Sequence, residues 1–283
     1  MKQHILIQVL CMAVLLLPLF SADAGGEKTS PSTVKTEAVK PEVKKNSELT
    51  SEEFLTLVRR APAGESWAKM EGTATHRRSG AKAINDTIRI GIRFTPKRVI
   101  AQLIFAGKET YELGQTFATP PVFTQERSVQ DMSKSRLALY GIEPSDLTLG
   151  FLYRQFVREE KSDSFKTFPC RVFLLKGDSE KDYVRVWIST DYCFPLKAHW
   201  FTKLPEEKDK PIREMELGGV KKEKDFYLIS ELLLFGPDWR TRVEFETREA
   251  GLISEEKKAP SDLFLSEEEI SAVQADKKVS ESK

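Results

Sequence analysis

Ile88, Ile90, Ile92 and Phe94 alternate with Arg89, Gly91 and Arg93, and toward the other end of the chain Trp239, Thr241, Val243 and Phe245 alternate with Arg240, Arg242, Glu244 and Glu246. A two-residue period of this kind describes a strand with one dry and one wet face. The same reading predicts strands at Arg98 to Phe105, Glu109 to Phe117, Phe168 to Lys176, Tyr183 to Ser189, Phe194 to Thr202, Ile212 to Val220 and Phe226 to Phe235. Short turns such as Ala106-Gly107-Lys108 join several of them, which predicts an antiparallel meander. About ten such strands form a sheet that must curl.

Ala118 to Tyr153 breaks this pattern. It carries Pro120-Pro121, a helical stretch from Ser133 to Tyr140 closed by Gly141, then Pro144 and a second short helix capped by Ser145, with Leu147, Leu149, Phe151, Leu152 and Phe156 inside it. An insertion this apolar has to pack on the sheet. Ahead of the strands, Thr50 and Glu53 form a capping box for a helix with Phe54, Leu57 and Val58 on one stripe, ended by Pro62 and Gly64. The expected fold class is therefore mainly β with a few helices (α+β): a curled antiparallel sheet forming an incomplete β-barrel, with helices covering the concave face.

The folded domain is expected over residues 49–270. Residues 1–24 read as a signal peptide: Lys2 and His4 precede an apolar run from Ile5 to Phe20, and Ala22-Asp23-Ala24 supplies the small-x-small ending. That run is shorter than the roughly 20 residues a bilayer requires, so the exported chain is expected not to span a membrane after cleavage. Residues 25–48 lack aromatics, Leu and Ile and read as a disordered tether, and residues 271–283 as a disordered tail. Cys170 and Cys193 remain after cleavage, and in an oxidising envelope two thiols can pair; on strands flanking a third, however, they lie about two 4.8 Å spacings apart, beyond the usual disulfide reach.

Lys and Arg number 44 and Asp and Glu 43, a net charge of +1, so no global field holds a nucleic acid. Basic clusters such as Lys221-Lys222-Glu223-Lys224 are interrupted by acid. His76 and His199 have no partner at metal-ligand spacing and read as solvated or hydrogen-bonded, with no metal and no cofactor expected. Gly107-Lys108 lacks the first glycine and the Ser or Thr of a phosphate loop, and no nucleophile elbow is present. The chain is not expected to be an enzyme. Binding something apolar is what such a shape performs without catalytic groups.

The segment Tyr183-Val-Arg-Val-Trp187-Ile188-Ser189-Thr-Asp-Tyr-Cys-Phe194-Pro195-Leu196-Lys197 resembles the outer-membrane lipoprotein-sorting carriers, the LolA-like proteins. Ile142 to Tyr153 is similar to the short helix of that group and Ser261-Asp262-Leu263-Phe264 to its C-terminal close, a likeness running loosely from Trp67 to Leu265. The resemblance implies a periplasmic carrier that binds the acyl chains of lipoproteins, or other lipids, in an apolar half-barrel and moves them toward the outer membrane, working with an inner-membrane exporter and an outer-membrane acceptor. The lining it implies is Ile90, Ile92, Phe94, Leu103, Phe105, Val186, Ile188, Leu196, Trp200, Val243 and Phe245, residues that read equally as ordinary core. It also implies a lid-regulating arginine on an early strand, for which Arg89, Arg93 and Arg98 compete and Arg98 is preferred. Three chains of roughly 15 methylenes are worth on the order of 35 kcal/mol in a membrane, so release needs both an apolar host and an energised exporter. The alternative is an envelope-stress sensor or regulatory module of similar fold that binds lipid or unfolded polypeptide.

Overall fold

The computed structural model describes residues 45–117, 122–127, 135–223 and 226–270. The predicted signal peptide, nearly all of the tether and the tail lie outside them. Residues 46–48, the end of the expected tether, form a 3-10 turn, and Asn46 Nδ2 donates to Thr190 O at 2.8 Å. Helix α1 (Ser51–Val58) follows with the expected capping box: Glu53 N donates to Thr50 Oγ1 at 3.2 Å and Thr50 N to Glu53 Oε2 at 2.8 Å. Phe54, Leu55 and Val58 are buried on its apolar stripe.

Five strands then run outward in sequence: β1 (Ser66–Arg78), β2 (Ile84–Phe94), β3 (Arg98–Phe105), β4 (Glu109–Thr116) and β5 (Phe123–Arg127). After the insertion the chain re-enters at the opposite edge with β6 (Gln155–Phe165) and returns through β7 (Phe168–Lys176), β8 (Tyr183–Ser189), β9 (Pro195–Phe201), β10 (Arg213–Gly218), β13 (Glu231–Phe235) and β14 (Trp239–Leu252). A small hairpin, β11 (Lys221–Glu223) with β12 (Phe226–Leu228), stands apart from this sheet. Strand β14 pairs antiparallel with β1, so the two meanders join into one 12-stranded sheet whose edges are β5 and β6. Among the described residues no helix is long and apolar enough to cross a membrane.

The strands depart from the sequence reading at four places. Strand β1 was not expected because its inward phase is Ala68, Met70, Gly72 and Ala74, too small to alternate strongly in hydropathy; the close approach explains it, since a Cβ on Gly72 would sit 1.9 Å from Glu244 O. Strands β5 and β6 are edge strands, largely polar or exposed on both faces, so they give no period. Strand β6 takes Phe156, which was expected inside the second short helix, and that helix is capped by Glu143 instead of Ser145. The predicted strand Phe226 to Phe235 divides at Ser230, whose N–H is taken by the carbonyls of Gly218 and Gly219.

The insertion contains α2 (Arg136–Leu139), α3 (Pro144–Leu147) and a 3-10 turn at Gly150–Tyr153. It leaves one edge of the sheet and arrives at the other, so it must cross a face. Its contacts show the curl. A Cβ on Gly150 would lie 3.0 Å from the Phe123 ring on β5, while the neighbouring Phe151 ring packs 5.4 Å from Trp200 on β9. Those strands are eight spacings apart in the sheet order, roughly 38 Å if the sheet were flat. Adjacent residues reach both only because the sheet wraps around them.

The convex face of β1 to β3 carries a strap formed by the C-terminal residues. Lys69 Nζ donates to Asp262 Oδ2 at 2.9 Å, Arg89 reaches the Asp262 carbonyl, and Gln102 exchanges two 2.8 Å bonds with the backbone of Leu265. A Cβ on Gly91 would lie 2.0 Å from Leu263 O, so the strap lies directly on the backbone there.

Candidate functional site: the covered inner face

Strand register assigns each side chain to a face. Ile90 stands opposite Leu103, Ile88 opposite Phe105, and Val186 opposite Ala198; Val243 faces Leu232 and Ala74. All eleven residues of the expected lining share this inner face and one core cluster: Ile90, Ile92, Phe94, Leu103, Phe105, Val186, Ile188, Leu196, Trp200, Val243 and Phe245. Each is 6% exposed or less. The three candidate arginines are on the opposite phase. Arg89 pairs with Glu71 at 3.0 Å and Arg93 with Glu65 at 2.7 Å on the convex side, and Arg98 is exposed at the start of β3 on the same phase as Gln102.

The inner face is filled by the insertion and α1. Leu137, Tyr140, Ile142, Leu147, Leu149, Phe151 and Leu152 are each 4% exposed or less. Tyr140 packs edge-on to Phe105 at 5.0 Å, and Phe54 of α1 stacks on Phe173 at 5.8 Å. Buried apolar side chains are worth about 1.5–3 kcal/mol each, so the seven cover residues contribute roughly 10–20 kcal/mol. One acyl chain of about 15 methylenes carries about 12 kcal/mol at 0.8 per methylene. The burial that holds the cover is thus of the same order as the burial of one such chain.

What pins the cover is a set of polar side chains that rise from the inner face where the apolar phase is interrupted. Glu109, at the start of β4, accepts from Ser135 Oγ at 2.8 Å, Leu137 N at 3.1 Å, the Arg136 amide and Tyr111 Oη, so its carboxylate takes up the orphan donors opening α2. Asp86 accepts from Tyr140 Oη at 2.7 Å and from Arg136. Thr241 Oγ1 donates to Tyr140 O at 2.6 Å and meets His76 Nδ1 at 2.9 Å; His76, buried between Tyr140 and Trp239, has its pKa lowered by desolvation.

Arg213 on β10 is the central latch. Its Nε donates to Gly141 O at 3.1 Å, its Nη2 binds Asp146, and its guanidinium lies 4.3 Å above the Trp200 ring. Asp146 is 2% exposed, and burial raises its pKa to about 6 against the opposing pull of Arg213. Gly141 has φ +68, and a Cβ there would lie 2.1 Å from Trp239, so glycine both closes α2 as expected and admits the ring. Leu149, at φ 50, is a left-handed non-glycine residue between α3 and the 3-10 turn. At the far end Arg59, the C-cap of α1, donates to the carbonyls of Leu152 at 2.6 Å and Arg154 at 3.0 Å. Helix α1 is itself tied down by Arg171, which forks onto Glu159 at 2.8 and 2.6 Å and holds that carboxyl below its usual range.

Sequence reasoning placed these eleven residues on one apolar face and missed the latch. A usable signal existed: Asp86, Glu109 and Arg213 each stand on the apolar phase of their strand, ahead of Ile88, Tyr111 and Met215. Elsewhere, His199 lies with its Nε2 3.0 Å from Glu214 but without hydrogen-bond geometry, and burial with Lys197 and Arg185 pushes its pKa down to about 3. Cys170 and Cys193 are buried and unbonded.

No protein-family model matches the sequence, and no curated protein matches it. Solved structures do. A putative outer-membrane lipoprotein-sorting protein domain from Vibrio parahaemolyticus superposes with a TM-score of 0.52 at 12% identity, covering 75% of this chain and 94% of that one. A DUF1329 family protein from Desulfovibrio piger gives 0.49 at 11% identity, with 76% and 94% covered, and a LolA superfamily protein from Nitrosomonas europaea gives 0.49 at 9%, with 78% and 99% covered. At 12% identity the first likeness is one of architecture, and it agrees with the resemblance drawn from the sequence: the chain has the LolA-like fold, an incomplete β-barrel with helices over its inner face.

Proposed function

We propose that the protein is a periplasmic carrier that receives acyl chains of lipoproteins, or of related lipids, on its inner face and moves them toward the outer membrane. The observation that carries this is the construction of the cover: an apolar face spanning the sheet is closed by short helical segments held through discrete polar latches. Such a cover exchanges for acyl chains of similar burial energy without unfolding the sheet. The chemistry is binding and release, with no covalent step. Loading and unloading fall to membrane partners, an exporter on one side and an acceptor on the other, because chains this apolar do not leave a bilayer unaided. Native mass spectrometry of the mature protein with an acylated peptide tests the proposal: bound acylated species are expected, and a clean ligand-free mass with no protection of the inner face contradicts it.

A regulatory module that binds an extended polypeptide is the second reading. It is favoured by the two sheet edges, β5 and β6, which pair with no further strand among the described residues and where Val122, Phe123, Phe156 and Val157 are among the exposed large apolar side chains.

A further inference from the structure

Gln115 is 1% exposed, and neither its Nε2 nor its Oε1 has a hydrogen-bond partner among the described residues. Buried carboxamides are normally satisfied, and one whose donor and acceptor are both unused calls for an explanation. Its position supplies one. Gln115 lies on the inner phase of β4 with Glu109, Tyr111 and Leu113. Its cross-strand neighbours are Val99 on β3 and Phe123 on the free edge β5. Beside it Phe117 packs on Tyr153 of the cover, and Gly150 comes against the Phe123 ring. The group is therefore bordered by apolar residues at one end of the inner face, next to the edge strand β5, beneath the part of the cover that Arg59 holds. Ser66, on β1 in the same cross-strand row, is likewise 1% exposed with its Oγ unpartnered.

A carboxamide offers one donor and one acceptor side by side. The group that satisfies both at once is one extended residue, whose own C=O takes the Nε2 proton and whose own N–H reaches Oε1, as Leu265 does for Gln102. An ester offers acceptors only and leaves Oε1 unsatisfied. We propose that Gln115 is the contact for the N-acylated residue at the head of the cargo, taking its N–H and its C=O, so that the inner face selects N-acylated amino acids or peptides over acyl esters. This rests on the carrier reading and names the ligand class of the same face.

The test uses the full mature chain and two probes that differ in one atom: N-palmitoylglycine methyl ester, and its ester counterpart in which the amide N–H is replaced by oxygen. Affinities are measured by isothermal titration for the wild type and for Gln115→Met, which keeps volume and removes both polar atoms. The wild type is expected to bind the amide about ten-fold more tightly than the ester, the scale of one hydrogen bond. In Gln115→Met that preference is expected to vanish with the ester affinity unchanged, and ligand-free thermal stability is expected to hold or rise, because an unsatisfied buried amide has been removed. Equal wild-type affinities overturn the assignment and leave the carrier reading intact. Binding of neither probe overturns both. A parallel loss of affinity for both probes in Gln115→Met assigns the residue to packing and overturns the proposal, and the wild-type discrimination decides the matter should that variant fail to fold.

Discussion

Arg213→Met removes the side chain that holds three parts of the cover: the Gly141 carbonyl, the Asp146 carboxylate and, at 3.8 Å, Glu143. Methionine retains much of the packing over Trp200. What it leaves is Asp146 at 2% exposure without its cation. Breaking a buried pair by deleting one partner typically costs about 3–5 kcal/mol. If that loss falls on cover opening, amides of residues 135–154 exchange with solvent about two to three and a half decades faster, at 1.4 kcal/mol per decade. Acid should soften the defect. Burial already holds the Asp146 pKa at about 6, loss of Arg213 raises it further, and a protonated Asp146 needs no counter-charge, so the penalty shrinks as pH falls from 7 to 5. Arg213→Met/Asp146→Leu should recover most of the stability at both pH values, since an apolar pair replaces the buried ions at little net loss. Hydrogen exchange with mass spectrometry gives the local opening, and urea denaturation the global stability. Equal loss of protection across β7 to β9, or no change in residues 135–154, would refute the assignment of Arg213 as a latch. On the carrier proposal opening precedes binding, so the single variant should also bind an acyl probe more tightly than the wild type.

Gly141→Ala combines a left-handed backbone with a Cβ 2.1 Å from Trp239, and urea denaturation should report a loss of at least about 2 kcal/mol. His199, with a pKa lowered to about 3 from an unfolded value near 6.5, contributes stability that is full above pH 6.5 and lost as pH falls toward 3. About 2 kcal/mol of it should disappear between pH 7.5 and 5. Comparing wild type with His199→Gln across that range isolates the contribution, and parallel curves would refute it. Gly91→Val should displace the C-terminal strap, because its Cβ meets Leu263 O at 2.0 Å; limited proteolysis should then cut after residue 260 faster than in the wild type, with the sheet intact.

The fold was legible where side chains are large and one-sided. Strands β2 and β14 announce themselves because Ile, Phe, Val and Trp alternate with charge, β3 and β8 as short apolar, β-branched runs, and the Thr50 capping box and Gly141 mark helix ends by local chemistry. Strand β1, at the centre of the sheet, was invisible because close packing against β14 demands Ala and Gly where hydropathy would show a phase. The topology was also out of reach. Nothing local in Trp239 to Leu252 says that this strand pairs with β1, the event that puts the insertion across the inner face. The latch was half legible: Asp86, Glu109 and Arg213 sit on the wrong phase for charged residues, but their partners lie 50, 26–28 and 67–72 residues away and only the curl brings them together.

A photoactivatable acyl chain on a peptide, cross-linked to the full mature protein, tests most directly whether lipid replaces the cover. Labelling is expected on inner-phase residues such as Leu103, Phe105, Val186 and Trp200, together with faster amide exchange in residues 135–154 of the loaded protein. Labels confined to the convex face, or a loaded protein whose cover is as protected as before, would contradict it.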